Sequence, residues 1–279
     1  MRVVVTGSKG FLGIYVVEDL QNNGHQVTEY DLQDGNDIFD VKKLEEALSA
    51  ADACIHLAAV ADLYEAERNH SHCYNVNVLG AELVGKVCAD LNVKLIFTST
   101  VCAYGNNDFE LQTEQSPLVP TEIYAETKAI AEEKLLQIRN LDVKIVRPAT
   151  FYGPNMRPSL AISRFITAIS EDEAIQVHGS GEQTRCYTHV KDVAKGIACI
   201  LREWPNDNVF NIAVPHPLSV LELIKNIQFV IGKTTEVMFV NDREGQISSS
   251  KICSMKIKEL GWMPEYDIMN GLMHTIQGD

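Results

Sequence analysis

No stretch of this chain is apolar over the roughly 20 residues that a membrane-spanning helix needs. No basic segment followed by a short apolar run opens it as a secretory leader would. Basic residues are in deficit as well: 24 Lys and Arg stand against 38 Asp and Glu, a formal net charge of -14. A surface of that sign offers no broad footprint for nucleic acid or an anionic membrane. It still allows a small phosphate ligand held by a helix N-terminus and one or two arginines. The seven cysteines (Cys54, Cys73, Cys88, Cys102, Cys186, Cys199, Cys253) include no C-x-x-C pair and are odd in number. That argues against a disulfide framework or a structural zinc site and for reduced, buried thiols. Glycine and proline are modest, at 17 and 9 residues of 279, so neither disorder nor a low-complexity array is expected. What is present is a chain that is 46% hydrophobic and long enough to bury a sizeable core. The expected compartment is the cytoplasm, and no metal is expected.

Through the first half, short β-branched runs alternate with amphipathic segments. Arg2–Thr6, Gln26–Tyr30, Ala53–Leu57, Lys94–Ser99 and Val143–Val146 read as strands. Phe11–Asn23, Val41–Ser49, Val78–Asp90 and Tyr124–Arg139 read as helices, the third with Leu79, Leu83, Val84, Val87 and Cys88 on one stripe. That alternation predicts an α/β fold with parallel strands and right-handed crossovers. After Pro148 the pattern loosens into turns, a helix at Leu160–Ile169, a strand at Ile175–Val177 and helices at Asp192–Leu201 and Ser219–Val230. Val209–Ile212 is placed to rejoin the sheet. The expected organisation is a main domain over 1–150, aided by about 190–213, with a smaller lobe from 151–189 and 214–279.

The first strand ends in Thr6-Gly7-Ser8-Lys9-Gly10-Phe11-Leu12-Gly13, a G-x-x-G-x-x-G spacing that opens a helix. Gly7 permits the tight turn, Gly10 lets backbone approach a pyrophosphate, and Gly13 lets helix and strand pack closely. The second strand ends at Asp31, about 20 positions on, where a carboxylate bonds an adenosine ribose diol and repels a 2′-phosphate. NAD is therefore favoured over NADP, although Lys9 is a nearby cation that could hold that phosphate. The bland alternative is a structural glycine turn with a solvated aspartate.

Tyr124-Ala125-Glu126-Thr127-Lys128 sets a phenol and an ammonium one helical turn apart. Lys128 can lower the Tyr124 pKa by charge proximity, which makes phenolate accessible. The spacing recurs at Tyr187–Lys191, but that stretch alternates like a strand and need not present both side chains on one face. The first match follows the strand run Leu95-Ile96-Phe97-Thr98-Ser99-Thr100, whose C-terminal hydroxyls could bond a substrate oxygen. Read without context, they are ordinary strand-end polar residues.

At this point the sequence resembles the extended short-chain dehydrogenase/reductases of the NAD-dependent epimerase/dehydratase group, which act on nucleotide-sugars. The likeness is carried by VTGSKGFLG, by HLAA at His56–Ala59, NVNVLG at Asn75–Gly80 and IFTSTVCAYG at Ile96–Gly105. It continues through YAETK, VRPATFYGPN at Val146–Asn155, RCYTHVKDVA at Arg185–Ala194, FNIA at Phe210–Ala213 and KELGWMPEY at Lys258–Tyr266. It implies a Rossmann-like doubly wound parallel sheet with a smaller interleaved C-terminal substrate lobe. By the same resemblance, Tyr124 is the catalytic acid or base, Lys128 binds the nicotinamide ribose and tunes Tyr124, and Thr100 orients the sugar oxygen with Ser99 nearby. Gly7, Gly10, Phe11, Leu12, Gly13, Asp31, Asp37, Ile38, Leu57, Ala58 and Ala59 belong to the dinucleotide site, and Asn77 supports it. Asn155, Arg185 and Arg243 fall where such proteins meet the substrate diphosphate. Bidentate guanidinium–phosphate bonding suits the arginines to that task, and a surface salt bridge is the alternative.

The family's 4,6-dehydratases carry acidic residues just after the strand-end threonine. Here Val101 and Cys102 follow Thr100, so elimination of water is disfavoured, and Cys102 reads as packing. The implied function is nucleotide-sugar 4-epimerisation of an NDP-hexose through a 4-keto sugar with NAD retained. A nucleotide-sugar 4-ketoreductase and a non-catalytic NAD-binding regulatory protein are the alternatives. A homodimer through helices 78–90 and 124–139 is expected by likeness, unless their apolar stripes only cover the sheet.

Overall fold

The computed structural model describes residues 1–106, 110–242 and 245–278. Six parallel strands form the central sheet, in the spatial order Gln26–Tyr30, Arg2–Thr6, Ala53–His56, Lys94–Thr98, Val143–Pro148, Val209–Ile212. The sheet is Rossmann-like and covered on both faces. Helices Phe11–Asn22 and Val190–Glu203 pack on one side, and Val41–Leu48, Ala81–Leu91 and Ile123–Gln137 on the other. Double coverage explains why Val3, Val4 and Val5 form an unbroken apolar run rather than an alternating one; all three are buried.

From Arg2–Thr6 the chain runs outward to Gln26–Tyr30 and then crosses back to Ala53–His56 on the opposite side. Connections diverge at that reversal, so a crevice opens beyond the C-terminal ends of the first and third strands. The smaller lobe lies over the same sheet end. Its core gathers helices Ala161–Ser170, Val220–Ile231 and Ile268–Gln277 around the paired strands Ile175–His178 and Val237–Val240. A three-stranded patch, Pro217–Ser219, Thr184–His189 and Thr150–Tyr152, joins lobe to sheet.

Two departures from the sequence reading bear on the site. The helix expected from Val78 begins instead as a π-turn, Asn75–Gly80, that runs on into Ala81–Leu91. Each bond of a π-turn reaches one residue further than in an α-helix, so side chains leave the 3.6-residue phase. Leu79, expected on the apolar stripe, is consequently 42% exposed. Two short helices, Leu63–Arg68 and His70–Tyr74, also arise without apolar periodicity. Side-chain caps start them: Asp62 accepts from the Tyr64 and Glu65 amides, and Asn69 from that of His72.

Candidate active site

The glycine turn sits at the crevice. Gly7 has φ +70°, a left-handed backbone, and a Cβ there would meet the Ala58 amide nitrogen at 2.6 Å. A Cβ on Gly13 would lie 2.2 Å from the Gly7 carbonyl oxygen. Loop, helix and third strand therefore stack with no room for side chains. Beside them lies a cleft of about 820 Å³ whose wall includes Gly7, Gly10, Asp31, Asp37, Ile38, Leu57, Ala58 and Ala59. Of the residues expected at the dinucleotide, Phe11, Leu12, Gly13, Asn77, Tyr124 and Lys128 are not on this wall. Phe11 stacks on Phe151 and Leu12 enters the core.

Asp31 is buried. One carboxylate oxygen accepts the Lys9 amide at 3.0 Å and the other the Gln33 amide at 2.9 Å. The Lys9 ammonium pairs with Asp34. The carboxylate is thus fixed at the cleft, and the nearby cation already has an acidic partner. The loop leaves no space for side chains at its glycines, places the first amides of a helix at the crevice and adds a held carboxylate. These residues fit a dinucleotide with an unphosphorylated ribose.

Asn77 lies off the cleft wall and is buried. Its Oδ1 accepts the Val60 amide at 2.8 Å, and its Nδ2 donates to the Val60 carbonyl and the Thr127 hydroxyl, each at 3.0 Å. It ties the segment after the third strand to helix Ile123–Gln137, which carries Tyr124 and Lys128.

Tyr124 is half-buried and is on the wall of neither cleft. It packs against the cluster of Val60, Ala66 and Cys73, of which Val60 lines the 820 Å³ cleft. Its hydroxyl also feels Cys102 and Arg157, which line a second cleft of about 290 Å³. Burial, then the Cys102 thiol, push the phenol above its usual range, and Arg157 pulls it down. Lys128 is not among the charges acting on the phenol. Its ammonium lies 4.5 Å above the Phe97 ring, and burial lowers its pKa to about 7 against the upward pull of Glu132 and Cys73. The i,i+4 spacing puts both groups on one helix, and among the described residues the cation that acts on the phenol is Arg157.

Thr100 accepts the Cys102 amide at 3.1 Å and so caps the turn Val101–Tyr104. Ser99 is buried beneath it, its hydroxyl without a partner among the described residues.

Arg185 lines the second cleft, as do Thr150, Tyr152, Met156, Gln176 and His178. Asn155 is exposed and off its wall, while Arg157 two residues on is part of it. Arg243 lies outside the described residues. Sequence reasoning took Arg157-Pro158 only as a turn. In the fold, the Arg157 guanidinium donates to the Ala61 carbonyl at 3.1 Å and has no acidic partner within ion-pair distance among the described residues. The sequence carried no signal for this, because the contact spans 96 residues. The buried partners Glu132 and Arg147 were missed for the same reason.

Comparisons with known proteins bear on the fold and the family. The UDP-glucuronate 4-epimerase of Thermodesulfobacterium geofontis is 29% identical, over 98% of this chain and 94% of its own length. The crystal structure of UDP-glucose 4-epimerase from Thermotoga maritima with UDP-glucose superposes with a TM-score of 0.92 at 28% identity, covering 100% of this chain and 98% of that one. The Thermus thermophilus UDP-glucose 4-epimerase in complex with NAD gives 0.91 at 25% identity, with the same coverage. The model of one family, described as the NAD dependent epimerase/dehydratase family, matches residues 3–213. With the glycine turn, the held Asp31 and the Tyr124 helix gathered at one sheet end, this chain belongs to the NAD-dependent epimerase/dehydratase family.

Proposed function

We propose that the protein is an NAD-dependent nucleotide-sugar 4-epimerase that inverts C4 of a UDP-linked hexose or hexuronate. What supports this reading is that Tyr124 packs against the cluster holding Val60, on the wall of the cleft fitted to a dinucleotide, and feels the charge of Arg157, on the wall of the cleft lined by arginines. Gly7, Gly10, Asp31, Asp37, Ile38, Leu57, Ala58 and Ala59 hold the dinucleotide, and Lys128 holds its nicotinamide ribose. Arg185 takes the substrate diphosphate. Bound there, NAD would supply reversible hydride acceptance at C4.

Tyr124, as phenolate, takes the proton of the 4-hydroxyl while Thr100 orients that oxygen. It gives the proton back after the 4-keto sugar has turned over in the cleft. Val101 and Cys102 supply no carboxylate after Thr100, which favours inversion over elimination of water. Retention of NAD makes the cycle redox-neutral.

The test is Tyr124→Phe, assayed on UDP-glucose and UDP-glucuronate by separating each from its 4-epimer. Turnover should fall by at least about a hundredfold with NAD binding kept. Wild-type turnover in that variant overturns the assignment. Stoichiometric NADH formation or consumption by the wild type would reassign the chain as a net oxidoreductase.

The reading extends to a homodimer and to the cytoplasm. Helices Ala81–Leu91 and Ile123–Gln137 are joined by Lys134 donating to Glu82 at 2.7 Å, and Leu91 and Leu136 stay exposed on them. None of the seven cysteines is in a disulfide, which suits a reducing compartment. No helix among the described residues is long and apolar enough to cross a membrane.

A further inference from the structure

Glu132 lies one helical turn beyond Lys128, on the same face of helix Ile123–Gln137, and both are buried. Lys before Glu is the weaker order for an i,i+4 ion pair, and no such pair forms. Both Glu132 oxygens go instead to Arg147 at the end of strand Val143–Pro148, with Nε at 2.9 and 3.2 Å and Nη2 also donating. Arg147 is itself held from the other side. Its Nη1 donates to the Tyr104 hydroxyl at 2.8 Å and to the Glu114 carbonyl at 3.3 Å, and Tyr104 donates to Asn211 at 2.8 Å. Glu132 is therefore clamped by a guanidinium that cannot follow it toward Lys128.

The consequence falls on Lys128. Among the described residues its ammonium makes no hydrogen bond and no ion pair. The groups around it are the Phe97 ring, the Cys73 thiol on helix His70–Tyr74, His56 at the end of the third strand, and Glu132 on its own helix. His56 contributes no charge: burial keeps the ring neutral, its pKa lowered to about 3, and its Nδ1 is bonded to the Thr6 hydroxyl at 2.7 Å. Among the described residues, Glu132 is the carboxylate acting on the amine.

We infer that Glu132 is a positioning residue: clamped by Arg147, its carboxylate favours the charged form of Lys128 from a distance and leaves all three ammonium donors uncommitted. A free glutamate at this position would pair with Lys128 directly and take up its ammonium donors. The clamp separates the two effects, because the negative charge stays near while its hydrogen-bonding capacity is spent on Arg147. This rests on the reading of Lys128 as part of the Tyr124 site.

The experiment titrates the Lys128 amine by NMR in the full-length protein, with Lys128→Met to assign its signal, and needs no substrate. Glu132→Gln should move the Lys128 midpoint to lower pH. Arg147→Gln should release the carboxylate and move it to higher pH, while turnover falls in both. Opposite shifts distinguish a charge-setting role from a merely structural one, which would move neither or both alike. An unchanged midpoint in Glu132→Gln, or shifts of the same sign, overturns the inference. Should Glu132→Gln fail to fold, the Arg147→Gln midpoint decides: a rise supports the clamp and no rise refutes it. If the midpoints shift as expected but Lys128→Met keeps full turnover, the active-site reading fails and the charge relation stands.

Discussion

At the residue scale, burial sets the chemistry before any ligand arrives. Lys128 is a cation placed where water cannot solvate it, so its pKa falls from 10.5 to about 7. Between those values the unfolded chain carries a proton that the folded chain lacks, so stability rises with pH across that window and the penalty is full below it. Each tenfold loss of proton affinity on folding costs roughly 1.4 kcal/mol. Lys128→Met should therefore be more stable than the wild type at pH 7, with the gap closing as pH approaches 10.5, in urea unfolding at several pH values. Parallel curves would contradict a buried, titrating amine. Tyr124 shows the opposite case, a phenol raised by burial with Arg157 as the cation opposing it. Arg157→Met should raise the phenol further and lower turnover at neutral pH, with recovery toward alkaline pH. A pH–rate profile measures it, and an unshifted limb would remove Arg157 from the account.

At the element scale, the glycine loop and the turn after Thr100 are fixed by contacts that a single atom can break. The Gly13 position faces backbone oxygens of Gly7 and Ser8 at 2.2 and 2.6 Å, and backbone cannot step aside as a flexible side chain would. Gly13→Ala should cost about 1–3 kcal/mol in chemical unfolding and weaken NAD binding in calorimetry. Unchanged affinity would mean that the loop tolerates a shift this packing denies it. The same scale explains the mixed legibility of the helices. Phe11–Asn22 and Val190–Glu203 follow their apolar repeat to within a residue or two. The π-turn Asn75–Gly80 does not, because the Asn77 side chain is committed to Val60 and Thr127, and those contacts are long-range.

At the scale of the whole molecule, the dinucleotide cleft opens at the sheet end where the crossovers diverge, and the second cleft lies where Phe165, Gln176 and Val220 of the lobe meet Asp62 and Cys102. The site is therefore assembled from segments far apart in sequence: the first strand's loop, the Tyr124 helix, the turn at Arg157 and the strand bearing Arg185. Association belongs to this scale too. Leu136 is 47% exposed on a helix whose other face, with Ala131 and Leu135, packs into the core. Leu136→Lys should convert the proposed dimer to a monomer in sedimentation, and an unchanged mass would place the interface elsewhere or exclude it.

Residue type alone settled what depends on local backbone and period. Glycines at 7, 10 and 13 announce a loop that admits no Cβ, Asp31 closes the second strand, and alternating strand and helix periods dictate a parallel sheet. Those properties belong to a residue and its near neighbours, so they survive without coordinates. The neighbours of a side chain do not. That Glu132 is claimed by Arg147, that the Phe97 ring lies beneath the Lys128 ammonium, and that Arg157 rather than Asn155 lines the cleft were decided only when distant strands and turns were packed together. Charge and hydrogen bonding act through space, and the fold alone sets those distances.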